Sequence, residues 1–209
     1  ALGHDDRGAQ ASINQALAAG NADDSDLADV RYRIHAATGD WRSALSDAEQ
    51  MNAAYMADKG FGEGFRTTYA HTHALPLLAY AQARSGAFAK AWTTINTTPT
   101  DCYLCIRTRG QIAALQKNWA NVTAWFSQAV MQGPSLPFAY ADWGAMLIAK
   151  GDLDGAISKF TIANQKGPHF ADPLEMWGEV LIAKNRSDLA LAKFEEADKY
   201  APKWGRLHL

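Results

Sequence analysis

The stretch FAYADWGAMLIAKGDLDGAISKFTIANQKGP, residues 138–168, decides how this chain folds. Tyr140, Trp143, Gly144 and Leu147 fall at i, i+3, i+4 and i+7, which is one face of a helix. Gly151-Asp152 interrupts that face, and the Asp152 carboxylate can cap a second helix. Ala156, Ile157, Phe160 and Ala163 share one face of that second helix, and Gly167-Pro168 ends it. The stretch therefore reads as two amphipathic helices joined by a tight turn.

The same residues return at a spacing of 34: Gly110, Gly144 and Gly178; Phe126, Phe160 and Phe194; Ala129, Ala163 and Ala197; Pro134, Pro168 and Pro202. They mark out three units, 103–136, 137–170 and 171–204. In the last, Leu174, Trp177, Gly178 and Leu181 repeat the first helix, with Asp172-Pro173 expected as its cap and first turn. Ala190, Leu191, Phe194 and Ala197 repeat the second, and Ala201-Pro202 closes it. In the unit at 103–136, Arg109 stands where the others have Trp, and Val122 where they have Ala. A short fixed period of small, aromatic and Pro positions means stacked units, each too small to fold alone. Gly and Ala mark where two helices approach closely, and a larger side chain there overpacks by about 1–3 kcal/mol. Each Phe fills the space they leave, worth about 1.5–3 kcal/mol on burial.

Upstream the register loosens. Gly86, Ala91 and Ile95 fit a degenerate unit from near Thr72, and Gly39 and Ala44 another from near Ser25, so 25–102 holds two such units. Ala9 to Leu17, within 1–24, fits the second helix of a unit whose first is missing. The flanking helices read as longer than standard, at 41–58 and 65–85, with Pro76 kinking the latter. Between them lies the Gly-rich loop at 60–64. Residues 205–209 begin a further first helix, and residue 1 is not Met, so the natural chain is expected to continue in both directions.

This pattern resembles the tetratricopeptide repeat family: an aromatic or large apolar residue, a Gly or Ala contact site, an apolar residue, a later Ala, an aromatic, another Ala and a closing Pro. It runs strongly through 103–204. The resemblance implies an all-α, right-handed α-solenoid of antiparallel helix pairs, whose first helices line a concave surface that takes an extended peptide or a helix. Carried onto this chain, that lining is His73, Tyr80, Arg107, Gln111, Asp142, Ala145, Glu175 and Glu179. The alternative for each is an ordinary solvated helix face. Family members that clamp a C-terminal carboxylate do so with basic residues. Here Asp142, Glu175 and Glu179 are expected to repel an acidic tail.

The bulk composition bounds the class of protein. Hydrophobic residues make up 48% of 209, enough for an extensive core. With 20 basic and 22 acidic side chains there is no basic stripe of the kind nucleic acid needs. The most apolar stretch, 73–83, is too short to span a bilayer. The Asn-x-Ser/Thr triplets at Asn96, Asn121 and Asn185 read as coincidence.

Cys102-Tyr-Leu-Cys105 is the one chemical motif. Two thiols three apart at a helix start can form a disulfide, exchange electrons, bind metal, or remain free thiols. His71 and His73 lie at the matching junction of the preceding unit, but side chains at i and i+2 diverge on a helix, so no metal site is expected. The Gly-rich loop lacks the Gly-Lys-Ser/Thr and the preceding strand of a phosphate cradle. Trp41, Trp92, Trp119, Trp125, Trp143 and Trp177 read as core. No nucleophile, base or carboxylate pair is spaced for catalysis, and no cofactor is expected. The expectation is a non-enzymatic scaffold binding a protein or peptide, with self-association through the ends as a further contact. Alternatives are a sensory or regulatory segment of a larger protein, and a thiol or metal module at Cys102 and Cys105.

Overall fold

The computed structural model describes residues 24–57 and 62–202, together with Ala11 and Gln15. Among the described residues there are helices and turns and no strand. In chain order the helices are α1 (Asp24–Thr38), α2 (Trp41–Ala57), α3 (Glu63–Tyr69), a π-turn (Ala70–Ala74), α4 (Leu75–Arg84), α5 (Phe88–Asn96) and α6 (Tyr103–Leu115). Then come α7 (Trp119–Gln132), α8 (Phe138–Lys150), α9 (Leu153–Lys166), α10 (Ala171–Ala183) and α11 (Ser187–Tyr200). The segment Ala9–Leu17 lies outside the described residues except at Ala11 and Gln15. So do residues 58 and 59, residues 60 and 61 of the Gly-rich loop at 60–64, and the residues from 203 onward; Glu63 and Gly64 of that loop belong to α3. The chain divides into two compact units between Leu115 and Gln116, inside the stretch read as the repeat 103–136.

In the unit from 116, α8 packs on α9, α9 on α10, α10 on α11 and α8 on α10. Phe160, with Ala156 and Val180, forms a buried cluster flanked by Leu147, Ile148, Leu153, Ile157, Met176 and Trp177. Gly144 is the reason α8 and α9 can close: a β-carbon there would lie 2.5 Å from the Phe160 ring. Gly178 stands the same way to Phe194, also at 2.5 Å. Ile148 and Ile157 are covered in this cluster by α10. Their register mates, Ile182 and Leu191, are 49% and 59% exposed.

The turn between paired helices is the same in both units. A residue with positive φ closes the first helix: Gly39 (79°), Gly86 (84°), Lys117 (57°), Gly151 (85°) and Asn185 (57°). The following N–H reaches back over the turn, from Asp40 to His35 (2.8 Å), Ala87 to Gln82 (2.9 Å), Asp152 to Leu147 (2.9 Å) and Arg186 to Leu181 (2.8 Å). These bonds satisfy carbonyls that the helix end would leave open. The next helix is capped by Asn118 on Asn121 (3.2 Å) and by Asp152 on Gly155 (2.9 Å). The expected cap at Asp172 is corrected: α10 begins at Ala171 and its N-cap is Phe170, which leaves Asp172 and Pro173 inside the first turn. An acidic residue in the first turn is still favoured by the positive end of the helix.

In the unit ending at 115, α1 pairs with α2 around Tyr32, Ala44 and Ala48, against Leu78 and Ala81 of α4. A second cluster joins Ala79 and Ala83 of α4, Ala91 and Ile95 of α5, and Cys105 and Ile112 of α6. The helix expected at 65–85 is a run from Glu63 to Arg84 with the π-turn at its centre. The buried Pro76 explains it. Proline has no N–H and its ring crowds the carbonyl four residues back, here Thr72. The backbone absorbs this by widening one turn, so that the Leu75 N–H bonds to Ala70, five residues back.

Candidate interaction surface

Within each unit first helices lie side by side, α4 against α6 and α8 against α10. This places the expected lining residues in neighbouring rows. His73, Tyr80, Arg107, Gln111, Asp142 and Ala145 are half-buried and Glu179 is exposed. Glu175 is a correction: it is 2% exposed and belongs to the interior. The helix α10 is packed by α8, α9 and α11, so its buried arc is wider than one apolar stripe and takes in this carboxylate. Of the acidic trio, only Asp142 and Glu179 remain accessible.

In the unit ending at 115 the row is aromatic and cationic. The Tyr80 ring meets Trp41 edge-on at 5.4 Å, and Arg84 lies 4.2 Å over the Trp41 ring while donating to the Tyr80 hydroxyl at 3.3 Å. Arg107 lies 5.5 Å over Tyr103. Next to His73, Tyr69 gathers Tyr55 (4.7 Å) and the exposed Phe65 (6.0 Å) around one ring. Tyr69 itself is 5.0 Å from His73. Sequence reading missed this cluster: Phe65, Tyr69 and His73 fall at i, i+4 and i+8, a helical spacing that was available as a signal, whereas Tyr55 joins them from α2 and no local period links it.

His73 also approaches Asp29, with Nε2 at 3.3 Å from Oδ2, an ion-pair distance. Arg33 donates two further bonds to Asp29, at 3.1 and 3.0 Å. Burial pushes the Asp29 carboxyl upward, but the contacts with His73 and Arg33 outweigh it and hold the group below its ordinary value of 3.8. A parallel arrangement on α2 has Asp47 accepting from Arg31 (3.0 Å) and contacting His35 Nδ1 (2.6 Å).

Arg109 is buried, at the register position of Trp143 and Trp177. Its guanidinium donates to the carbonyls of Ile95 (2.8 Å), Thr98 (3.0 Å) and Pro99 (3.2 Å). These lie at and just beyond the end of α5, so a cation closes the carbonyl terminus of that helix. Burial pushes the Arg109 pKa below its ordinary value. In the other unit the two Trp residues each carry a lysine: Lys159 lies 3.6 Å over Trp143 and Lys193 4.5 Å over Trp177. The pairs are 34 residues apart, so the cation–π contact belongs to the repeat.

Cys102 and Cys105 are joined as a disulfide at the start of α6. The Cys105 N–H donates to Cys102 Sγ at 3.2 Å, the place a Ser or Asp oxygen takes in other N-caps. The His71 and His73 rings are engaged elsewhere, His71 Nδ1 with the Thr67 carbonyl at 2.7 Å and His73 with Asp29. Among the described residues no group of three or more His, Cys, Asp or Glu could hold a metal ion.

Paired helices, a small residue under an aromatic, a left-handed turn and neighbouring first helices define a helix-pair α-solenoid of the tetratricopeptide type. Solved structures of tetratricopeptide-repeat proteins share this fold. One is PilW, described as a widely conserved type IV pilus biogenesis factor, with a TM-score of 0.56, 17% identity, and coverage of 99% of this chain and 90% of that one. Another is MamA from residue 41 to its end, from Desulfovibrio magneticus RS-1, with a TM-score of 0.51, 15% identity, and coverage of 86% and 96%. A further MamA crystal structure has a TM-score of 0.51 at 15% identity and covers 90% and 97%. At these identities the likeness shows the fold. No protein-family model and no curated protein sequence matches the chain.

Proposed function

We propose that this chain is a non-enzymatic scaffold that binds a protein segment along the surface of its first helices. The observation that carries this is the adjacency of α4 and α6, and of α8 and α10, which sets partly accessible polar and aromatic side chains in neighbouring rows on a packed base. First helices share the core with second helices through Gly144, Gly178, Leu174 and Val180, and the half-buried and exposed positions between those contacts are the ones left to meet a partner. Tyr80, Arg107 and Gln111 on one pair of helices, and Asp142, Ala145 and Glu179 on the other, are the residues assigned to contact the segment. Such a row suits an extended peptide or a single helix, because each first helix offers one or two side chains at a regular spacing.

The test is selection of short peptides from a random display library, followed by calorimetry. Tyr80→Ala and Arg107→Glu should each weaken the selected peptides about tenfold or more, the loss of one anchoring contact. Gln165→Ala, on the exposed side of the second helix α9, should leave affinity unchanged. Equal losses at Gln165 and at Tyr80 would remove the first-helix assignment.

A further inference from the structure

Two features with no sequence relation meet at one place. The first is Pro76, at which two carbonyls of the π-turn lose their usual helical donors. The Leu75 N–H, which His71 would use in a regular helix, is spent on Ala70. The N–H that Thr72 would use belongs to residue 76 and does not exist in proline. The second is the Cys102–Cys105 pair. Cys105 Sγ lies 3.5 Å from the His71 carbonyl oxygen and Cys102 Sγ 3.6 Å from that of Thr72. Each sulfur therefore faces one of the two carbonyls that the proline strips of its helical partner. A disulfide has no proton to offer them, whereas a thiol is a weak donor.

We propose that Cys102 and Cys105 form a reversible dithiol/disulfide exchange site for dithiol reductants, with the reduced form held by the His71 and Thr72 carbonyls of the π-turn. Cys105 is fully buried and Cys102 half-buried, so an incoming thiolate reaches Cys102. Its sulfur bonds to Cys102 Sγ, the Cys102–Cys105 bond breaks, and the electron pair leaves on Cys105 Sγ, which takes a proton and donates it toward His71. The second thiolate of the reductant then attacks its own sulfur in the mixed disulfide. Cys102 Sγ is released, takes the second proton and donates it toward Thr72. One S–S bond is broken and one formed, and two electrons and two protons pass from the dithiol to the protein. The amino end of α6 favours a thiolate leaving group during exchange, while the carbonyls favour the neutral dithiol at rest. The site stands independently of the scaffold reading, because its readout is thiol content and no partner is involved.

The experiment equilibrates the 209-residue chain with mixtures of reduced and oxidised dithiothreitol, quenches by alkylation and counts thiols by mass, with circular dichroism recorded alongside. Two thiols should appear together, reversibly, with helix content retained. Thiols that appear only when helix content is lost overturn the proposal. Pro76→Ala returns an N–H to the Thr72 carbonyl and lets the π-turn relax to a regular helix that also serves His71. The equilibrium constant for reduction should then fall about threefold to tenfold, the range of one to two weak hydrogen bonds. A smaller fall overturns the assignment of the carbonyls. A measurement on the unchanged protein guards against misfolding of the variant: reduction should slow amide exchange at Ala74 and Leu75, and unchanged exchange counts against the proposal.

Discussion

Gly144 lies directly beneath the ring of Phe160, with no room for even a methyl group: a β-carbon would sit 2.5, 2.7 and 2.9 Å from three ring atoms. The same relation holds between Gly178 and Phe194, at 2.5, 2.7 and 2.8 Å. The two rings differ in freedom, since Phe160 is fully buried and Phe194 half-buried. Gly144→Ala should therefore cost about 1–3 kcal/mol in urea unfolding, the range for overpacking a closed core. Gly178→Ala should cost less, because Phe194 can swing outward. Gly144→Leu should exceed both. Equal costs for the two alanine variants would mean that the rings yield equally.

The left-handed turn residue offers a test in the opposite direction. Lys117 holds φ of 57° where the next repeat has Gly151 at 85°. A side chain in this region is strained, so Lys117→Gly should raise stability by about 0.5–1 kcal/mol after the extra freedom of the unfolded glycine is subtracted. Gly151→Val should lower it by about 1–2 kcal/mol. Thermal unfolding of both variants checks the sign.

Arg109 should behave as a helix terminator. Arg109→Met leaves the carbonyls of Ile95, Thr98 and Pro99 without its guanidinium and should cost about 2–4 kcal/mol. Arg109→Lys should recover only part of this, because an ammonium cannot fork across several acceptors as a planar guanidinium does. Full recovery by lysine in chemical denaturation would show that charge alone suffices.

Register-equivalent apolar residues should respond differently to charge. Ile157 sits against the Phe160 cluster, whereas Leu191 is 59% exposed. Ile157→Lys should cost about 2–4 kcal/mol and Leu191→Lys no more than about 0.5 kcal/mol. Melting curves for the pair measure how much the covering helix α10 contributes at that position.

The Asp29 carboxyl adds an acid limb to the unit ending at 115. Its folded pKa lies below its ordinary value of 3.8, so the folded chain binds fewer protons there than the unfolded chain does. The stabilisation is fully present above the ordinary value and is lost as pH falls through the folded one. Asp29→Asn should lower the urea midpoint near neutrality and flatten its decline between about pH 5 and about pH 3. A variant with the wild-type acid slope would assign that slope to other carboxylates.

The period of 34 was legible because it is written in residues whose size matters. Gly144, Phe160 and Ala163 are constrained by contact within one helix pair, and that contact has a fixed sequence separation. The left-handed turn was only half legible. Gly39, Gly86 and Gly151 announce it and Asn185, a residue that tolerates the left-handed region, allows it, but Lys117 occupies the same conformation with a side chain that gives no warning. Glu175 was misplaced for a related reason. A helix touched on three sides has no clean polar face, and a single stripe of apolar residues understates what is buried.

The sequence by itself determined the helix pairs, their phase and the residues at their closest approach, because these depend on short-range spacing and on the volume of side chains that face each other. Tertiary structure alone decided what fills the irregular positions. Arg109 became the terminator of α5, Tyr55 of α2 came to lie on Tyr69 of α3, and the sulfurs of Cys102 and Cys105 came to lie on the carbonyls whose usual helical donors Pro76 removes. Each of these joins groups on different helices, and the distance between helices is set by packing, which no local pattern records.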